Sequence, residues 1–359
     1  FRSTAYGIQA MDAITTGDEN TAVGNQALST DTTGSTNTAL GYQALRLNTT
    51  GSNNIALGAF ALGATTTGDS NIAIGQSALA ANTTGTRNLA IGKGAYDASD
   101  TENDNIAIGF EAMTTNTAGG SENIALGNYA LDALTSGDKN VAVGQNALGA
   151  NNSGGSNTSV GHNSLDANTT GSYNTAFGRD SLGTNTTASN NTAYGYGTLQ
   201  LNQTGASNTA IGVDALGNNL ASNNTAVGFQ ALIANTTGTG NIGLGSGGVL
   251  DANTTGNYNT AVGHNALGAN VDTHNNTAVG TEALNANIAA ANTAVGFRAL
   301  KSNTTGTRNL AIGYQAYFSS DTEVDNIAIG YEAMTDNTNG GNTNMAIGNY
   351  ALHDLVGGD

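Results

Sequence analysis

An Asn-x-Ala-apolar-Gly pentad recurs about every 17 residues along this chain. It opens in a degenerate form at Ser3-Thr4-Ala5-Tyr6-Gly7. It then returns at Asn20, Asn37, Asn54, Asn71, Asn88 and Asn105, and runs on to Asn309, Asn326 and Asn344, for 21 copies. A unit this short cannot bury an apolar face alone. It gains a core only by stacking on its neighbours, so the period itself demands a solenoid. The expectation is an all-β parallel β-solenoid, or β-roll, of about 21 coils of about 17 residues, forming one continuous array over residues 1–359.

Counting the pentad Asn as position zero, position +4 is Gly in all 21 copies and +3 is always Val, Ile, Leu, Phe or Tyr. Position +2 is Ala in 19 copies, with Ser159 and Gly243 the exceptions. Position +7 is small, +8 is Leu, Met, Val or Tyr, and a stretch such as Asn48-Thr49-Thr50-Gly51 follows. Alternation over +1 to +3 has the period of a strand. A corner with positive φ or close backbone approach suits the glycines at Gly24, Gly41, Gly58 and Gly75. The pair at +7 and +8 reads as a second short strand, and the Asn-Thr-Thr-Gly stretch as the return turn.

Stacked coils place equivalent residues about 4.8 Å apart, so the array would span on the order of 100 Å. Asn20, Asn37, Asn54, Asn71, Asn88 and Asn105 are then expected to form an amide ladder, side chain to side chain. With +3 and +8 turned into the core, +2 would point outward. The size limit at Ala22, Ala39, Ala56 and Ala73 then predicts a packed second chain. A pinched corner within one chain is the alternative reading. Coils of 18 residues begin at Asn105, Asn241 and Asn326, and coils of 16 at Asn208 and Asn276. Turns absorb such changes, whereas strands would flip register.

The stretch from Asn88 to Leu134 matches that from Asn309 to Leu355 at an offset of 221 residues, or 13 coils. Block duplication of this kind suits an element selected for length. The net charge of −17, with nine basic residues spread along the chain, disfavours nucleic acid and anionic membranes. No Cys is present, which excludes disulfides and thiolate metal sites, and no Pro interrupts the ladders. No apolar run reaches membrane-spanning length, so membrane insertion of this segment is not expected. The chain begins at Phe1 and ends at Asp359 inside a repeat, and reads as an excerpt of a longer fibre.

Pentads such as Asn71-Ile-Ala-Ile-Gly and Asn326-Ile-Ala-Ile-Gly resemble the head repeats of trimeric autotransporter adhesins. The fuller pattern from Asn37 to Gly51 is similar to repeats of bacterial and phage tail-fibre-domain proteins. That resemblance implies a homotrimeric rod, an extracellular, cell-surface or virion location, and a host-cell or surface receptor as a partner. The coil here is longer than the usual adhesin-head coil.

Motifs with chemical potential compete with the repeat. Gly243, Gly245 and Gly248 have dinucleotide-turn spacing but occupy repeat columns, with no helical pattern after them. His162, His264, His274 and His353 do not converge, and no nucleophile–base pair is recognisable. Asp18, Asp69 and Asp138 follow turn glycines and are candidate calcium ligands or solvated turn acids. Thr158, Thr175, Thr192, Thr209 and Thr225 form a column that would suit ice, although an inward orientation is expected for it. Sequons at Asn48, Asn82, Asn168, Asn235, Asn253 and Asn303 fall in the return turn.

The functional expectation is a non-enzymatic structural fibre or filament subunit with an adhesive role, a homo-oligomer polymerising end to end. No cofactor, metal or catalytic residue is assigned. The alternatives are a phage tail-fibre shaft carrying a receptor-binding tip, and an ice- or calcium-binding β-solenoid.

Overall fold

The computed structural model describes residues 2–116, 119–336 and 341–353. Phe1, Leu355 and the terminal Asp359 lie outside them. The chain divides into two compact units, Phe1–Asp180 with Thr184–Thr187 and Ser181–Gly183 with Ala188–Asp359. Each is a parallel β-solenoid. The first carries eleven strands, from β1 (Thr4–Tyr6) to β11 (Thr175–Phe177), and the second carries ten, from β12 (Thr192–Tyr194) to β21 (Met345–Ile347). Every strand has three residues, and no α-helix forms among the described residues.

Within a unit, each strand pairs in parallel with the next, in the register set by the pentad. Thr21, Ala22 and Val23 face Thr38, Ala39 and Leu40, and Thr192, Ala193 and Tyr194 face Thr209, Ala210 and Ile211. The coil from Asn37 shows how backbone groups are satisfied. Thr38 N–H donates to Asn54 O at 2.8 Å on one neighbour, and Gly41 N–H to Val23 O at 2.9 Å on the other. Leu45 and Thr49 donate to Ala61 and Thr66, continuing the bonding around the coil.

Only one strand forms per coil. The second strand expected at +7 and +8 is instead a tight turn, because +6 and +8 adopt left-handed backbone. Gln43 has φ of 56° and Leu45 of 50°, and Gln26 and Leu28 repeat the pattern at 58° and 52°. The glycine at +4 answers to two constraints. Gly24, Gly41, Gly58 and Gly75 have φ of 139°, 143°, 136° and 131°. A Cβ at Gly41 would also lie 2.5 Å from Gly58 O in the adjacent coil.

The strand faces are the reverse of the expected orientation. Ala22, Ala39, Ala56 and Ala73 are fully buried within the single chain, so they line its lumen and cannot be a contact with a second chain. Their size limit comes from the coil itself, where the +2 Ala, the +7 residue and the +8 Leu share a narrow interior. Two exceptions show the constraint. Ser159 is buried but satisfied, donating to Ser164 O at 2.7 Å. At Gly243 a Cβ would come within 3.2 Å of Leu232. In that same coil an inserted residue puts Val249 beside Leu250, both buried, so bulk is exchanged across the lumen.

Candidate functional site

The pentad Asn residues from Asn20 to Asn326 are buried, and their side chains bond in two directions, whereas Asn344 in the last coil is half-buried and its Nδ2 has no partner. Asn20 Oδ1 accepts from Asn37 N–H at 2.9 Å, and Asn37 Oδ1 accepts from Asn54 N–H at 3.0 Å. Asn37 Nδ2 crosses its own coil to Gly51 O at 2.8 Å, and Asn54 Nδ2 to Gly68 O at 2.8 Å. Asn71, Asn88 and Asn105 repeat the link to the preceding Asn Oδ1 at 2.9–3.0 Å. The joint between coils is therefore mainly side chain to backbone rather than amide to amide.

Amide-to-amide bonds run instead, in stretches of several coils, through a second buried column at +11, in the return turn. Asn168 Nδ2 donates to Asn151 Oδ1 at 2.8 Å, and Asn185 Nδ2 to Asn168 Oδ1 at 2.9 Å. In the second unit Asn235 donates to Asn219 at 2.6 Å, Asn253 to Asn235 at 2.8 Å and Asn270 to Asn253 at 2.9 Å. The sequon residues Asn48, Asn82, Asn168, Asn235, Asn253 and Asn303 all belong to this column and are fully buried. The signal in the sequence is the frequent return of Asn at a fixed distance from the pentad, which surface turns do not require.

Interruptions of this column leave polar atoms stranded. Thr65 follows Asn48 and Ser99 follows Asn82, and both Asn48 Oδ1 and Asn82 Oδ1 lack a hydrogen-bond partner. Asp31 stands at the same position two coils earlier than Thr65. Its Oδ1 accepts from Gly34 N–H at 2.9 Å, its Oδ2 has no partner, and burial pushes its carboxyl up to about 6.

The outward face is the part open to other molecules. It carries the +1 and +3 residues of every strand, joined by +5. Apolar side chains stand exposed along it, with Leu40 45% exposed, Phe177 43%, Tyr194 54% and Ile211 41%. At +5 the rings of Phe297, Tyr314 and Tyr331 stack at centroid separations of 5.2 and 5.1 Å. The apolar face is legible in the sequence as the invariant +3 column, but alternation alone does not say which side is inward.

The remaining candidates are dispersed. Thr175 and Thr192 are exposed while Thr158, Thr209 and Thr225 are half-buried, so this column faces outward rather than inward. Exposed Phe177 and Tyr194 stand beside it on the same strands, which prevents a flat hydroxyl array. Asp69 Oδ1 accepts from Ser52 N–H at 2.6 Å and Asp138 Oδ1 from Ser121 N–H at 2.8 Å, so both cap the adjacent coil. Asp18 lies 3.5 Å from the Arg2 guanidinium, and its carboxyl is held low mainly by the Arg2 backbone N–H. His274 plays a capping role too, its Nδ1 accepting from Asn257 N–H at 2.9 Å. His162 and His264 are exposed and His353 is half-buried. Gly248, with φ of 79°, has no space for a Cβ beside Asn265. Packing thus accounts for the glycine triad.

Among the described residues no pocket opens, no group of three or more His, Cys, Asp or Glu gathers, and no helix is long and apolar enough to cross a membrane. Comparison with protein-family models and with curated proteins returns no match.

Proposed function

We propose that this chain is a structural, non-enzymatic subunit of an extracellular, cell-surface or virion fibre, assembling with copies of itself, most simply as a homotrimer. One observation carries the reading: the outward face repeats apolar residues at +3 in every coil, exposed or half-buried among the described residues. A contiguous exposed apolar face on a repeat protein marks an interaction surface. Its regularity fits a partner with the same repeat, because only an identical period stays in phase over many coils. The coil-to-coil backbone bonds and capped turns support a mechanical role, in which coils resist fraying and proteolysis. A role in adhesion, or as the shaft of a phage tail fibre, is compatible with the same surface.

Solution mass tests the proposal. Sedimentation at micromolar concentration is expected to show a species of about three times the 35.7 kDa chain mass. Replacing Leu57, Ile74, Ile91 and Ile108 by Ser should yield monomers with an unchanged circular dichroism spectrum. A monomeric wild-type chain at micromolar concentration would overturn the reading.

A further inference from the structure

In the second unit the +5 column carries an aromatic run over three successive coils, Phe297, Tyr314 and Tyr331, and Tyr350 follows at +6 of the next coil. Tyr314 and Tyr331 stack with centroids 5.1 Å apart and planes at 6°, and Tyr350 meets Tyr331 edge-on at 5.3 Å. All three are exposed. In-register stacking sets like atoms of Tyr314 and Tyr331 one coil spacing apart, so the ring carbons ortho to each hydroxyl face one another. Exposed side chains reorient on a picosecond-to-nanosecond timescale, which closes the remaining gap. The neighbouring Glu332 carboxylate pushes the ionisation of the Tyr331 hydroxyl up to about 12 and offers a proton acceptor beside the phenol. Glu332 itself lies 3.7 Å from His353 Nε2.

We propose that Tyr314 and Tyr331 are an oxidative cross-linking site, joined to dityrosine by a one-electron oxidant of the haem-peroxidase class acting with hydrogen peroxide. Each phenol loses one electron to the oxidant and one proton, that of Tyr331 passing to Glu332. The two phenoxyl radicals couple through their ortho carbons, forming one C–C bond. The ortho hydrogens then move to the oxygens and restore both rings. The two electrons and two protons reduce one hydrogen peroxide to two waters. The product is a covalent staple between successive coils.

The duplicated block provides an internal contrast. Lys93 and Phe110 occupy the places of Tyr314 and Tyr331, with Lys93 Nζ 5.8 Å from the Phe110 ring centre, and no tyrosine pair exists there. The test treats the purified chain with a peroxidase and limiting hydrogen peroxide. The expected result is blue dityrosine fluorescence, a loss of two hydrogens in mass, and a linked peptide joining Tyr314 to Tyr331 within one chain. Tyr331→Phe, which the column tolerates because Phe297 already stacks there, should lower the yield at least five-fold, whereas Tyr350→Phe should not. Glu332→Gln should slow the initial rate while leaving the linked residues the same. A wild-type yield in Tyr331→Phe would overturn the proposal, as would links formed only between chains or through Tyr173 and Tyr258. These outcomes are separable from the fibre reading, which rests on solution mass.

Discussion

The block from Asn88 and its duplicate from Asn309 lie in different units and have diverged in only one sense. Every lumen residue is the same in both, including the pairs Ala90 and Ala311, Tyr96 and Tyr317, Glu102 and Glu323, and Met113 and Met334. Their geometry agrees as well. Asn105 Nδ2 donates to Tyr96 Oη at 2.6 Å, and Asn326 Nδ2 to Tyr317 Oη at 2.6 Å. Arg87 and Asp104 pair at 2.6 Å, as do Arg308 and Asp325, and each guanidinium holds its carboxyl low. The changes are confined to the outside: Lys93 against Tyr314, Asp97 against Phe318, Phe110 against Tyr331, Asp132 against His353. The interior is fixed by volume and hydrogen bonding, and the exterior is where one copy can differ from the other.

The largest effect that would break this comparison is overpacking. Ala107→Leu and Ala328→Leu, at matched lumen positions, should each cost about 3 kcal/mol or more, read by thermal unfolding. A tolerated Leu at either site would show that the lumen is not the constraint. Next comes the buried hydroxyl. Tyr96→Phe and Tyr317→Phe remove a partner of Asn105 and Asn326, and should destabilise equally, by roughly 1–2 kcal/mol in denaturant titration.

The two copies do differ at one buried atom, which sharpens the comparison. Ser320 Oγ donates to Asn303 Oδ1 at 3.2 Å, whereas Asn82 Oδ1, before the matching Ser99, has no partner. Ser99→Asn should therefore stabilise by about 1 kcal/mol, and Ser320→Asn by clearly less. Asp31, earlier in the same column, adds a pH dependence. Its carboxyl is raised from 3.8 to about 6 in the folded chain, so the neutral form is the one that folding favours. Its penalty is absent below about pH 4, grows as pH rises towards 6, and is constant above that. Asp31→Asn should thus raise the melting temperature at pH 7 and leave it unchanged at pH 4. Equal shifts at both values would refute the assignment.

The smallest effect on stability carries the most specific readout. Lys93→Tyr with Phe110→Tyr should change stability by less than about 0.5 kcal/mol, as expected of exposed positions. It should nevertheless add a second dityrosine link under peroxidase, detected as a new linked peptide. Failure to add it would mean that a stacked tyrosine pair beside a glutamate, Glu111 in the place of Glu332, is not by itself enough to make the site.

Much of the coil was legible beforehand, because a period fixes equivalence between residues. Strands at the pentads, parallel register and the glycine corner follow from alternation and from Gly24, Gly41 and their equivalents. What alternation cannot supply is its phase. A strand with Thr38 and Leu40 on one side and Ala39 on the other fits either orientation until the lumen width is known. The lumen is set by a turn at Gln43 and Leu45 whose left-handed backbone no residue type there announces. The inverted phase put the expected self-contact on the +2 Ala, whereas the residues that face outward are those at +1 and +3. It also hid the second Asn column, since Asn168-Thr-Thr-Gly has the composition of a surface turn while Asn168 lies inside.

The burial of that column sets an order of events during maturation. Once a coil closes, Asn168 and Asn235 are beyond the reach of any transferase. While the chain is still being made, they present open acceptor sequences. A glycan attached then would have to fit inside a lumen that admits nothing larger than Ala or Ser at +2. In any compartment that decorates nascent chains, coil closure has to outrun sugar transfer, so folding speed rather than final stability decides whether the chain matures there.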